Sequence, residues 1–301
     1  MDSTRAKVPT KHNKQIDIMA KPTIEPITDE SLPEFAAFLE ANMPAKRSAK
    51  DWISGLSTNW VAVRPNYGFL MRDEGRVVGG IGAYYAERSI RGRNERFCNI
   101  TSWCVLDSHR KFSMQLVMNV VGQSGYHFTD FSPTKVVAGS LQFLKFKALD
   151  ERIAVILNLP NFSSFSGRVL TDPIEIEKTL SGEMLNIWRD HSGFPWLKHL
   201  VVGGPNGWCH VVYKPGQFKG MACANIIYLS EGSLFSQYLN RLRRYFFWQG
   251  MTTTHVERRM LECMPKLSRV RTGFNPKQFL SQTLEPADID YLYSETVALD
   301  L

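Results

Sequence analysis

The segment Val105-Leu106-Asp107-Ser108-His109-Arg110-Lys111-Phe112-Ser113-Met114-Gln115-Leu116 joins an apolar strand end, a polar turn with two adjacent cations, and a helical start. The first turn of a helix leaves backbone N–H groups without intrahelical partners, and the helix dipole favours negative charge there. A diphosphate is the natural guest for such amides, and Arg110 and Lys111 would add positive charge at the same point. Leu106, Arg110, Lys111, Phe112, Ser113, Met114 and Gln115 are therefore candidate anion-binding residues. The competing reading is an ordinary strand–helix turn with a solvated Arg-Lys pair.

Other residue types offer weaker chemistry. Cys98 and Cys104 could supply a thiolate nucleophile, but among apolar neighbours on one strand face they read better as small core residues. Gly122-Gln123-Ser124-Gly125 superficially resembles a nucleophile elbow and reads better as a helix-end loop. Arg241, Arg243 and Arg244 beside Tyr245, Phe246, Phe247 and Trp248 could bind RNA by phosphate contacts and stacking. At helical spacing, however, Leu234, Tyr238, Leu242, Tyr245 and Phe246 share one face, which is the pattern of a core helix with arginines outside. His191, His199, His210 and His255 lack metal-ligand spacing, so no metal is assigned.

The chain has 301 residues, 44% apolar and 22% charged. At about 150 residues per domain this suggests two folded domains, and it excludes disordered, collagen-like and coiled-coil classes. A formal charge of +7 favours anionic partners without choosing among them. Cys98, Cys104, Cys209, Cys223 and Cys263 form no CxxC pair, which points away from a disulfide framework or structural zinc and towards a reducing compartment. Residues 1–21 are basic and polar, without the apolar stretch of a secretory signal, and no later segment offers about 18 unbroken apolar residues for a membrane span. The expectation is a disordered basic tail on a cytoplasmic protein.

The positioning elements follow from periodicity. Residues 23–27 read as a strand, and Leu32, Phe35, Phe38 and Leu39 mark a helix face. Asp73-Glu74-Gly75-Arg76 is turn chemistry between strands at 68–72 and 77–85, followed by a strand at 96–106. Leu116, Val117, Val120 and Val121 mark a helix closing at Gly122, before a short strand at 126–129. Ser132-Pro133-Thr134 opens another helix, with Ser132 or Asp130 as its cap. The second half repeats a related order: a helix at 174–189, strands at 197–202, 208–213 and 221–229, a helix at 233–248 and a strand at 251–256. A last helix is expected at 288–293. The fold class is α+β with largely antiparallel sheets flanked by helices. The expected division is a tail at 1–21, one domain at 22–157 and another at 158–301.

Together with the helix opening at Ser132-Pro133-Thr134 and its corner Leu144-Lys145-Phe146-Lys147, the Arg110–Gln115 turn resembles the GNAT acyltransferase superfamily. The resemblance covers residues 22–157, and the second half is expected to be a degenerate GNAT-like domain on the acceptor side. It implies acetyl-CoA or another acyl-CoA, or an acyl carrier protein's phosphopantetheine, as donor and a small-molecule amine as acceptor. The pantetheine arm would lie between the strand ending near Leu106 and the strand at 126–129, with Thr134 on the donor side. Ser113 and Gln115 stand where small glycine-type residues are usual, and Lys145 replaces a helix-ending glycine. The strand glutamate that serves many relatives as base is absent from Cys98-Asn99-Ile100-Thr101-Ser102-Trp103-Cys104. His109, Asp107 and Glu87 are the substitute candidates, with Ser132 as donor to the leaving sulfur. His109 beside Arg110 would have its cation disfavoured, which suits a neutral base. The alternatives are a catalytically silent GNAT-like binding protein and an RNA-associated protein.

Overall fold

The turn chemistry at 73–76 does what its residues demand. Glu74 (φ +47°) and Gly75 (φ +79°) take left-handed backbone and reverse the chain between β2 (Gly68–Asp73) and β3 (Arg76–Ile90). Around this hairpin the computed structural model, which describes residues 21–159 and 167–301, builds a first half. It contains β1 (Thr23–Pro26), α1 (Leu32–Asn42), α2 (Ala49–Leu56), β4 (Arg93–Val105), α3 (Ser113–Val121), β5 (His127–Asp130), α4 (Lys135–Phe143) and β6 (Lys147–Ala148). Then come β7 (Ile153–Leu157), β8 (Arg168–Leu170), α5 (Pro173–Thr179), α6 (Gly182–His191), β9 (Lys198–Gly204), β10 (Gly207–Phe218) and β11 (Met221–Leu229). The chain continues through α7 (Gly232–Gln237), α8 (Leu239–Trp248), β12 (Thr253–Glu257), β13 (Ser268–Arg271), β14 (Gln278–Leu280) and α9 (Glu295–Ala298). The expected tail lies outside the described residues except for Lys21.

Two seven-stranded sheets result, ordered β1-β2-β3-β4-β5-β14-β6 and β8-β9-β10-β11-β12-β7-β13. Pairing is antiparallel except for β4 with β5 and β11 with β12. The α+β class is as the sequence implies, and the two sheets share one topology. The sixth place in each is filled by a strand from across the expected division. β7 leaves the first half to pair with β12 and β13, while β14 returns to pair with β5 and β6. This reciprocal exchange knits the halves together.

Each sheet buries both faces. In the first, Leu116, Val117 and Val120 of α3 and Leu141 of α4 pack on Ile81, Ala83 and Ile100. Its other face carries Phe35 and Leu39 of α1 with Trp52 and Leu56 of α2. Gly80 permits that approach, because a Cβ there would stand 2.5 Å from the buried Phe35 ring. Gly80→Ala should therefore cost about 1–3 kcal/mol through overpacking, read as a lower urea midpoint at constant slope; an unchanged midpoint would show that the ring has room to move. In the second sheet, Phe235, Tyr238, Leu242 and Phe246 of the α7–α8 segment cover Val202, Val211 and Ile226. No helix among the described residues is long and apolar enough to cross a membrane.

Several expected elements are broken where local chemistry competes. The helix at 174–189 is two, because Ser181 is extended and Gly182 takes φ +54°. The helix at 233–248 breaks at Tyr238 (φ −98°, ψ 12°). Arg243, expected on the solvent side, is buried and donates to the Lys266 carbonyl. α4 starts at Lys135 with Thr134 as its cap, since Asp130 accepts from the Ser132 amide instead. No helix forms at 288–293: Asp290 turns the chain by accepting from Leu292 N, Tyr293 takes φ +59°, and α9 begins only at Glu295.

Candidate functional site

β4 and β5 are hydrogen-bonded only briefly, through Phe97–His127, Cys98–Phe128 and Asn99–Thr129. Beyond Asn99 the strands part. Thr101 faces Gly82 and Cys104 faces Gly80, so one residue of β3 opposes two of β4, and Ser102 takes φ +50°. A bulge of this kind bends its strand and ends pairing on one side. The first sheet therefore opens between the C-terminal ends of two parallel strands, a common location for ligand sites in α/β sheets.

Side chains not anticipated from the sequence meet where the strands part. Asn99 Nδ2 donates to Thr129 O (3.3 Å) and Oγ1 (3.1 Å), while its Oδ1 accepts from Glu295 N at 2.8 Å. The Glu295 carboxylate accepts from Phe131 N (2.8 Å) and Ser132 Oγ (3.1 Å), both through Oε1. Oε2 is buried without a hydrogen-bond partner among the described residues. Asp130 lies alongside, also buried, its Oδ1 accepting from Ser132 N at 3.2 Å. Burial pushes both carboxyls above the ordinary carboxylate range, and the neighbouring Glu295 charge adds to the effect on Asp130. Nothing around position 295 hints at this site. The polar Asn99 within an otherwise apolar strand centre is the one local signal for it.

The turn after β4 is wound more tightly than the sequence suggests. Asp107–Phe112 form a 3-10 turn that runs into α3, and Ser113 N donates to Arg110 O instead of being left free. Phe112 makes no side-chain cap for α3. Leu106 is committed to the sheet edge, with its N bonded to Val78 O. Arg110 and Lys111 are exposed, Arg110 pairing with Asp107 at 2.9 Å and the Lys111 ammonium resting over the Phe112 ring. Ser113, Met114 and Gln115 are half-buried at the start of α3. Thr134 spends its hydroxyl on Val137 N.

Of the candidate proton-transfer residues, only Ser132 lies at the opening. His109 is turned inward, with Nε2 2.9 Å from Asp73 Oδ2 and Nδ1 2.8 Å from Ser108 Oγ, so it braces the turn against β2. Glu87 is exposed and faces Arg96 before the paired stretch of β4, at the closed end of the wedge.

The second sheet repeats the wedge. β11 and β12 pair at Cys223–Thr253, Ala224–Thr254 and Asn225–His255, and then part. Here the turn into the next helix carries Glu231, which caps α7 by accepting from Ser233 N. A cavity of about 340 Å³ adjoins it, bordered by Tyr228, Ser230, Glu231, Arg259, Arg88 and Asp290. A carboxylate at this turn repels phosphate, whereas the first turn presents Arg110 and Lys111. Among the described residues no cluster of three or more His, Cys, Asp or Glu side chains could hold a metal ion.

No family profile matches the chain, and no curated protein matches it in sequence. Solved structures do. A GCN5-related N-acetyltransferase from Anabaena variabilis superposes with a TM-score of 0.59 at 10% identity, over 86% of this chain and 72% of that one. Another from Kribbella flavida gives 0.56 at 13% identity, over 87% and 71%. Eis1 from Mycobacterium abscessus gives 0.54 at 12% identity, over 86% and 72%. The chain has the GNAT fold. Its two sheets make that fold a tandem one.

Proposed function

We propose that the protein is an acyltransferase, moving an acyl group from acetyl-CoA or another acyl-CoA directly to the amine of a small molecule in a ternary complex. The observation that carries this reading is the wedge beyond Asn99, opened by the bulge at Ser102 and followed by a cationic turn. The pantetheine arm would enter between β4 and β5, and the diphosphate would sit by Leu106–Gln115, near Arg110 and Lys111. Thr134 would border the arm from the start of α4. A carrier protein's phosphopantetheine could replace CoA, because the arm is chemically the same. Ser132, on the Asp130–Ser132 corner, is placed to protonate the departing sulfur. His109 and Glu87 are given no proton to move, for the positions described above. The described cysteines are free thiols, which suits the reducing cytoplasm to which we assign the protein.

Titration with acetyl-CoA and longer acyl-CoAs tests the reading. Binding should raise the unfolding midpoint, equivalent to about 2.7 kcal/mol at a concentration 100 times Kd. Replacing Arg110 and Lys111 by Glu should weaken CoA binding on the order of tenfold or more, since charge-assisted phosphate contacts are lost and repulsion is gained. No stabilisation by any acyl-CoA at millimolar concentration would remove the proposal. A second reading, a donor-binding protein without turnover, draws on the lack of a carboxylate on β4 between Cys98 and Cys104. It predicts stabilisation by acyl-CoA with no free-thiol release across an amine panel.

A further inference from the structure

We infer that Glu295 is the catalytic proton acceptor of the first half's wedge, delivered there by the last helix of the second half. The inference rests on the acyl-transfer reading above and names the group which that reading leaves without a residue. β4 carries no carboxylate between Cys98 and Cys104. Amide formation from a thioester nevertheless requires a group to take a proton from nitrogen as the C–N bond forms. Glu295 enters the wedge from the side covered by the second half, and its two oxygens are in different situations. Oε1 is engaged by Phe131 N and Ser132 Oγ. Oε2 is buried and has no hydrogen-bond partner among the described residues. A buried carboxylate oxygen without a partner is costly and calls for an explanation. An arriving amine N–H would satisfy it.

The surroundings fix the carboxyl without neutralising it. Asn99 holds the Glu295 amide, Lys214 Nζ of β10 donates to Thr296 O at 2.6 Å, and Arg47 donates to Leu299 O. The titratable groups facing Glu295 are Asp130 from β5 and the buried Tyr84 hydroxyl from β3. No basic side chain among the described residues forms an ion pair with it. Burial raises its affinity for a proton, which brings a carboxyl nearer to the pH at which a general base is effective.

The step balances within the site. The amine nitrogen attacks the thioester carbon, its proton passes to Glu295 Oε2, and the C–S bond breaks with its electron pair leaving on sulfur. Ser132 Oγ gives the thiolate its proton and is reprotonated by the Glu295 carboxyl once that group rotates to turn its protonated oxygen towards Oγ. The net change is one proton moved from nitrogen to sulfur.

Glu295→Gln keeps an oxygen for Phe131 N while removing the base. With acyl-CoA and an accepted amine, its kcat should fall on the order of 10²–10⁴-fold. KM for acyl-CoA should stay within a few-fold, and the acid limb of the kcat/KM pH profile should disappear. Glu295→Asp should retain that limb, at a shifted midpoint, with reduced kcat. If the Gln variant does not fold, the Asp variant decides, because wild-type kcat with an unmoved limb overturns the assignment. Wild-type turnover matched by Glu295→Gln in both rate and profile overturns it while leaving the acyl-transfer reading intact. A wild-type protein that releases no thiol with any amine removes the acyl-transfer reading and this inference together.

Discussion

Lowering the pH from 7 to 5 is expected to withdraw about 6 kcal/mol of folding stability through three histidines at the contact between the halves. His191 and His210 are completely buried and His199 is largely so. Burial pulls their pKa values down to about 3, 3 and 4 respectively. His191 uses both ring nitrogens in the neutral form: Nδ1 donates to Ile187 O at 2.8 Å, and Nε2 accepts from Tyr293 N at 3.3 Å. Trp60 stacks on its ring at 5.9 Å. His199 and His210 share one contact of 3.1 Å, with His199 Nε2 and His210 Nδ1 buried and unpartnered among the described residues.

The direction follows from which state binds protons. The unfolded histidines protonate as pH falls through about 6.5, while the folded ones stay neutral, so stability is full above that pH and drains away towards pH 3–4. pH 5 lies about 1.5 units below the pKa of an unfolded histidine. At about 1.4 kcal/mol per unit this is about 2 kcal/mol apiece. Three together rival the entire stability of a typical domain. Asp130 and Glu295, raised by burial, act in the opposite sense, contributing stability at low pH that is lost as pH rises. Denaturant midpoints at pH 7 and 5 are therefore compared in an Asp130→Asn, Glu295→Gln background. Adding His199→Gln and His210→Gln should remove about 4 kcal/mol of the pH dependence. An unchanged dependence would place the titration elsewhere.

None of this histidine arrangement was legible in the sequence, whereas much of the fold was. The β2–β3 hairpin, α3, β5 and β11 are specified by turn residues and by local periodicity, which act within about ten residues. Lys145 likewise takes the left-handed φ (+67°) that its place at the α4 corner demands. What local pattern could not reveal depends on partners far away in sequence. The exchange of β7 and β14 is a choice of neighbour, and their short apolar runs suit either sheet. His109 looked like a surface base because its partner Asp73 lies 36 residues earlier. Glu295 reaches the wedge through contacts spanning 163 to 196 residues. The cationic turn was visible as a charge pattern, but its winding was not, since Ser113 N finds Arg110 O only in the continuous 3-10 to α3 geometry.

Asp290→Ala is expected to cost about 3–5 kcal/mol, because it strands a buried cation. Arg88 of β3 is 6% exposed and forks onto Asp290, Nη1 to Oδ1 at 2.9 Å and Nη2 to Oδ2 at 2.6 Å. Its guanidinium lies over the rings of Phe97 (5.5 Å) and Tyr293 (5.2 Å), and water reaching it from the bordering cavity would replace a forked carboxylate with weaker neutral contacts. The pair itself need not stabilise the fold, since two desolvated charges can cost as much as they return. Arg88→Met with Asp290→Leu should accordingly recover most of the loss, and a double-mutant cycle on urea midpoints reads the coupling directly. The pair also bears on the site: Asp290 anchors the chain five residues before Glu295 and accepts from Leu292 N at 3.0 Å. Arg88 belongs to the first half and Asp290 to the segment that carries Glu295, so the ion pair ties that segment to β3. The double variant should therefore regain stability while keeping a lowered kcat. A variant pair that restores both equally would show that Asn99 and Lys214 suffice to seat α9.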